Sequence, residues 1–136
     1  MAFDDVIQHL DTTDTVAIVT TRSDGSPVAT PIWSVVVDGV PYVRSAFGED
    51  SKWYRHALSG RDVRFAMGDG KVAERDRAEA LAQPSEPVRI EHVADDAVNQ
   101  AVSDEVSSKY AAQPTSVQPM LSDAAIGCTL RVLAAE

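Results

Sequence analysis

Between Val19 and Ser45 the chain reads VTTRSDGSPVATPIWSVVVDGVPYVRS: β-rich runs punctuated by two Asp-Gly pairs. Asp-Gly between such runs is a strong hairpin signal, because both residues tolerate the positive φ that tight turns between strands require. The pattern therefore predicts short strands in antiparallel succession: Thr15 to Thr21, a run from Val28, and 40–46. Pro31 cannot donate to a ladder, so it marks an edge, a bulge or a strand end. Further strands are expected at 63–67, 88–93 and 126–133. Residues 71–82 favour helix by composition and strand by their place after the GDG turn at 68–70. So many short strands in one open sheet would expose edges, which points to closure into a barrel.

Helices are sparser. Phe3, Val6, Ile7 and Leu10 repeat at helical spacing, and Val98, Val102, Val106 and Tyr110 recur every four residues, predicting helices over 3–10 and 95–110. A brief helix is expected over 51–58, capped by Ser51 or Asp50. Residues 111–123, AAQPTSVQPMLSD, read as a proline-containing loop. With 136 residues and 44% apolar content, the chain is expected to form one domain, 1–136, around a modest core.

Composition excludes several functions. A net charge of -9 argues against a nucleic-acid surface, which needs clustered cations. No apolar run approaches the roughly 20 residues of a membrane span. MAFDDVIQHL is acidic and amphipathic, unlike a signal peptide. The lone Cys128 has no partner for an internal disulfide, which fits a cytoplasmic protein, and its β-rich surroundings mark it as a packing residue. His9, His56 and His92 lie far apart, with no metal-ligand spacing. Nucleophile-elbow, phosphate-loop and dinucleotide motifs are absent, and no residue identifies itself as catalytic.

The charge is uneven. Of 12 Lys and Arg, five fall between positions 44 and 64 (Arg44, Lys52, Arg55, Arg61 and Arg64), against three acids, Glu49, Asp50 and Asp62. A basic island in an acidic chain suits a small anionic ligand. RSAFGEDSKWYR, 44–55, puts an arginine and a hydroxyl at a strand end and a serine and a lysine at a helix start. Exposed N–H groups at the helix start and Arg44's bidentate fork suit a phosphate. The alternative is a surface ion pair of Arg44 with Glu49 or Asp50. Trp33 and Trp53 are either core residues or stacking surfaces for a planar ring.

The order of these motifs, VTTRSDGSPVATPIW, VVDGVPYVRS, Gly48, SKWYRHAL and DVRFAM, resembles the flavin- and deazaflavin-binding split β-barrel superfamily related to pyridoxamine 5′-phosphate oxidase. The nearest in character is an uncharacterised, mainly actinobacterial branch with a tryptophan after the lysine. The likeness covers about Thr15 to Met67, and SSKYAA at 107–112 resembles a helix ending in many members. It implies a mainly β fold with peripheral helices, an antiparallel split barrel of six or seven strands, and a homodimer with the cofactor, FMN or F420, in an interface groove. Carried over, Arg44, Ser45, Ser51 and Lys52 would hold its phosphate, while Thr30, Pro31, Ile32 and Trp33 would line its ring. Arg55, Arg61 and Arg64 could meet the longer acidic tail of F420. The implied activity is an oxidoreductase acting on a small oxidised organic molecule. The alternatives are a non-catalytic flavin or haem binder, with His56 or His92 as axial ligand, and a cofactor-free dimer with a structural or interaction role. Loss of Arg44 or Lys52 is expected to weaken phosphate binding and leave the fold little affected. The loop between Arg44 and Lys52 is about one residue longer than the deazaflavin pattern, its Glu49 and Asp50 would repel a phosphate unless they point away, and 71–94 match nothing in the family.

Overall fold

The computed structural model describes residues 3–135; the first two residues and the last, which the one-domain expectation includes, lie outside the described residues. Seven strands form one antiparallel sheet: β1 (Val16–Thr21), β2 (Pro27–Ile32), β3 (Ser34–Val37), β4 (Val40–Arg44), β5 (Val63–Ala66), β6 (Ser85–His92) and β7 (Thr129–Ala134). Their order across the sheet is β2-β1-β5-β6-β7-β4-β3. β2 and β3 are therefore opposite edges, yet only Trp33 separates them in the chain. A covalent link one residue long forces the edges together, so the sheet curls into a half-barrel with its seam at Trp33. The run expected from Val28 is broken there, where the chain leaves one edge and starts the other.

The Asp38-Gly39 turn behaves as its sequence predicts. Val37 pairs with Val40, and both turn residues have positive φ, 52° and 79°, as a two-residue hairpin of matching twist requires. The Asp24-Gly25 signal yields a longer loop: Thr21 pairs with Pro27, and Asp24 Oδ1 accepts from Ser26 N at 2.9 Å.

β1 shows why one strand is buried on both faces. Val16 and Ile18 point into the barrel core with Phe65, Leu130 and the α1 (Phe3–Thr12) residues Val6 and Leu10. Ala17 and Val19 point outward to Ala29, Ala66, Val72 and Ala80. The small outer residues let α3 (Val72–Arg75) and α4 (Arg77–Leu81) lie close against the sheet. At Gly70, N–H donates to Thr15 O at 3.0 Å, and a Cβ would come within 2.3 Å of the Val16 carbonyl carbon. Residues 72–75 and 77–81 are thus helical, the reading their composition favoured, and the extended Asp76 between them caps α4 by accepting from Glu79 N at 3.1 Å.

A second layer covers β3 and β4. α5 (Asp96–Lys109) sets Val102 and Val106, with Tyr110 just beyond its end, against Val35 and Tyr42, the face its spacing predicted. The expected loop over 111–123 is corrected: Pro114–Met120 form α6, and α7 (Asp123–Ile126) follows. Pro114 occupies the first turn of α6, where a missing N–H costs nothing. Ser122 caps α7, its Oγ accepting from Ala125 N at 3.1 Å. The last strand starts at Thr129, three residues later than expected, because α7 takes Ile126.

Cys128 packs in the barrel core and is 2% exposed. A thiol reagent is expected to label the native chain far more slowly than the chain in denaturant; equal rates would contradict that placement. Among the described residues no helix is long and apolar enough to cross a membrane.

Candidate functional site

A cleft of about 210 Å³ opens at the barrel seam. Pro31, Ile32 and Trp33 form one wall, at the point where β2 passes into β3. Ala46 and Phe47 come from the segment after β4, Ser51 and Trp53 from the start of α2 (Lys52–Ala57), and Ser116 and Met120 from α6. Five of the eight residues expected at a cofactor site meet here: Pro31, Ile32, Trp33, Arg44 and Ser51. Thr30, Ser45 and Lys52 are not in the lining. Trp53 carried its alternative role in the sequence. Ser116 and Met120 were hidden by reading α6 as a loop.

Trp33 is braced from behind. Its ring stacks on Tyr110 at 3.8 Å between centroids with 2° between planes. Tyr110 OH lies 2.7 Å from Asp14 O and accepts from Ser34 N at 3.2 Å. Lys109 Nζ donates to Ser34 O at 2.7 Å and to Leu10 O at 2.9 Å. The Lys-Tyr pair at the α5 end thus fixes the seam and holds the tryptophan as a rigid wall of the cleft.

Arg44 does not occupy the surface position that an ion pair with Glu49 or Asp50 requires; it is 2% exposed. Nε donates to Thr129 Oγ1 at 2.8 Å, Nη1 to Ser103 Oγ at 2.9 Å and Met120 O at 3.0 Å, and Nη2 to Asn99 O at 3.1 Å. Four of the five N–H groups of a guanidinium therefore go to neutral protein acceptors. Burial lowers its pKa to about 10, which still leaves it protonated at neutral pH. This network stands against the expectation that losing Arg44 spares the fold.

The two hydroxyls also find each other. Ser45 Oγ donates to Gly48 O at 2.8 Å and lies 2.8 Å from Ser51 Oγ. Ser51 is the N-cap of α2 without a side-chain capping bond. Glu49 and Asp50 line a different recess with Asp123, so the loop's acids stand outside the cleft. Lys52 is exposed and faces a neighbouring recess with Arg22 and Arg55.

Neither histidine considered for haem reaches the cleft. His92 is exposed, its Nε2 2.8 Å from Gly127 O, and His56 lines the Lys52 recess. Met120 sulfur is the iron-binding side-chain type in the lining. A flavin ring needs no such ligand, and aromatic and apolar walls with a few polar groups suit it. Among the described residues no group of three His, Cys, Asp or Glu is placed to hold a metal ion.

The sequence matches a family model described as an uncharacterized protein conserved in bacteria (DUF2255) over residues 6–132. None of the curated proteins searched is similar to it in sequence. Among solved structures, HutZ, the haem storage protein of Vibrio cholerae, superposes with a TM-score of 0.63 at 13% identity, over 97% of this chain and 89% of that one. An FAD- and haem-binding protein from Mycobacterium smegmatis gives 0.56 at 18% identity, over 99% and 67%. A candidate pyridoxamine 5′-phosphate oxidase from Listeria innocua gives 0.56 at 9% identity, over 96% and 90%. At these identities the likeness is one of fold: the split barrel of the pyridoxamine 5′-phosphate oxidase-like proteins.

Proposed function

We propose that this chain, which belongs to the bacterial family DUF2255, binds a planar, phosphorylated redox cofactor, FMN or F420, in the seam cleft and acts as an oxidoreductase on a small organic substrate. The observation that carries the reading is the pairing of two tryptophans, Trp33 and Trp53, in one cleft whose lining reaches Ser51 at the start of α2, next to Lys52, which makes no ion pair among the described residues. The ring would lie among Pro31, Ile32, Trp33 and Trp53, beside the backbone of Thr30. The phosphate would lie toward Ser51 and Lys52, with Ser45 supporting Ser51 from behind. When bound, such a cofactor supplies the hydride or electron chemistry. The chain's own part is to stack the ring, exclude water from one side of it and fix the phosphate. The likeness in fold to proteins named for FAD and haem binding supports a planar ligand. The absence of histidine from the lining favours flavin over haem.

The chain would work as a homodimer in the cytoplasm. A cleft of about 210 Å³ is smaller than the roughly 300–1,000 Å³ of small-molecule sites, and Phe47 at its rim is 79% exposed. A second copy laid on Phe47 would enclose the ligand and cover that ring. Sedimentation is expected to give a dimer, and a monomer that binds cofactor at full affinity would remove this part of the reading.

The test is a titration with FMN, F420, riboflavin and haem, followed by absorbance and fluorescence. One of the two phosphorylated ring cofactors is expected to bind tightest. Lys52→Ala is expected to weaken it about 3- to 10-fold, the range of an exposed charge contact, and to leave riboflavin unchanged. No binding of FMN or F420 would sink the oxidoreductase reading; tight haem binding would replace it with haem storage or transfer.

A further inference from the structure

The β1–β2 loop and α2 bring four cations together round one imidazole. Arg22, Lys52 and Arg55 line, with Ser23 and His56, a recess of about 420 Å³, and Arg61 adds its charge to the field at His56. In a chain of net charge -9, acids outnumber cations, so a cation placed at random meets a carboxylate easily. The ion pairs of the described residues lie elsewhere, at Arg64–Asp62, Lys71–Asp14 and Arg131–Glu91; these four cations make none.

Three of the four are oriented by hydrogen bonds. Arg22 Nη1 donates to Ser26 Oγ at 3.1 Å, Arg55 Nη2 to Asp50 O at 3.1 Å and Arg61 Nε to Thr21 O at 2.8 Å. Each guanidinium is oriented on one side by a neutral oxygen; Asp24, whose carboxylate accepts from Ser26 Oγ at 2.6 Å, offsets part of the Arg22 charge, while Arg55 and Arg61 have no carboxylate partner among the described residues. His56 is held below the ordinary histidine range, first by burial and then by Arg61, Arg22, Arg55 and Lys52. Its Nδ1 is enclosed with no hydrogen-bond partner. Like charges held this close raise the free energy of the empty recess, and a multiply charged anion would lower it.

We propose that the recess of Arg22, Lys52, Arg55 and His56 is a binding site for an anion of the diphosphate type, with two or more adjacent negative charges. Lys52 and Arg55 meet it from α2, and Arg22 closes on it from the β1–β2 loop. A diphosphate spans cations from both elements, which one small monovalent ion cannot do. The diphosphate group has two sources, a free small molecule or the charged tail of a ring ligand, since Ser51 of the seam cleft directly precedes Lys52 of the recess. The site itself is argued from its own residues and stands whether or not the cleft takes a ring.

The probe is inorganic pyrophosphate, titrated into the full chain at low salt with sulfate in parallel, while NMR follows the His56 ring. Saturable binding about tenfold or more tighter than sulfate is expected, with the His56 pKa rising as the anion offsets its four cations. Arg22→Ala and Arg55→Ala are each expected to weaken pyrophosphate about fivefold and to raise the His56 pKa without any ligand, an effect a purely structural role would not produce. Displacement by pyrophosphate of a ring cofactor held in the cleft would assign the anion to that ligand's tail; simultaneous binding would assign it to a free molecule. The site is overturned if pyrophosphate leaves His56 unmoved, binds no tighter than sulfate, or binds both variants as it binds the parent. None of these three overturning outcomes needs FMN or F420 to bind; only the assignment of the anion's source does, so failure of the cofactor reading leaves the test of the site intact.

Discussion

Arg44→Ala is expected to destabilise the fold by about 3 to 5 kcal/mol, the range for losing a buried charged network. The guanidinium joins four elements: β4, which carries it, β7 through Thr129, α5 through Asn99 and Ser103, and α6 through Met120. Alanine leaves the carbonyls of Asn99 and Met120 without this donor and opens a void beneath α6. Removing the buried charge also removes its desolvation cost, so the net loss is well below the sum of four charged hydrogen bonds. Arg44→Met separates the contributions, because it fills most of the volume and restores no donor; its loss is expected to approach that of alanine. Arg44→Lys keeps a charge and three donors without the planar fork, and is expected to lose less than either. Urea unfolding measures all three. The sign of the pH dependence follows from burial. The folded pKa, about 10, lies below the ordinary 12.5, so charge on this base is disfavoured in the folded state, and Arg44's contribution improves only as pH rises past 10. Between pH 6 and 9 the difference between parent and variant is expected to stay flat. An alanine variant within 1 kcal/mol of the parent would show that water replaces the network at no cost.

That network also shows where sequence reading stopped. Asp38-Gly39, the β-rich run of Thr15 to Thr21 and the four-residue spacing of Val102, Val106 and Tyr110 are local signals, and each dictates its own piece of the curled sheet and its covering helix. The seam was less legible. Pro31 announced a strand end, but nothing local says that β2 and β3 become opposite edges, which depends on how β5, β6 and β7 pair. Arg44 at a strand end looks the same in sequence whether it faces a ligand or the interior. Its direction is set by Ser103, Met120 and Thr129, which lie from 59 to 85 residues away. Ser116 and Met120 were lost to the cleft for a different reason: Pro114 and Pro119 read as breakers, although a proline in a first helical turn begins a helix readily. The basic island was visible as composition. Its division into one buried arginine, a separate group with Arg22, and Arg64 tied to Asp62 and Ser85 required the fold.

Filling the cleft gives the largest functional effect expected. Ala46→Trp places an indole where the lining is half-buried and the side chain small. An indole takes up most of about 210 Å³, and a planar ring cannot share what remains. Whichever of FMN or F420 binds the parent is expected to bind this variant at least roughly 100-fold more weakly, because the loss is steric and is not limited to one contact's few kcal/mol. Stability should change little, since Ala46 borders open space and the new ring can settle against Trp33 and Trp53. Pyrophosphate binding at Arg22, Lys52 and Arg55 should persist, because that recess shares none of its lining with the cleft. Dissociation constants for the ring cofactor and for pyrophosphate, measured on the same variant, separate the two sites. A variant that keeps full affinity for FMN or F420 would move the ring out of the seam cleft, and would remove Trp33 and Trp53 from the list of residues that hold it.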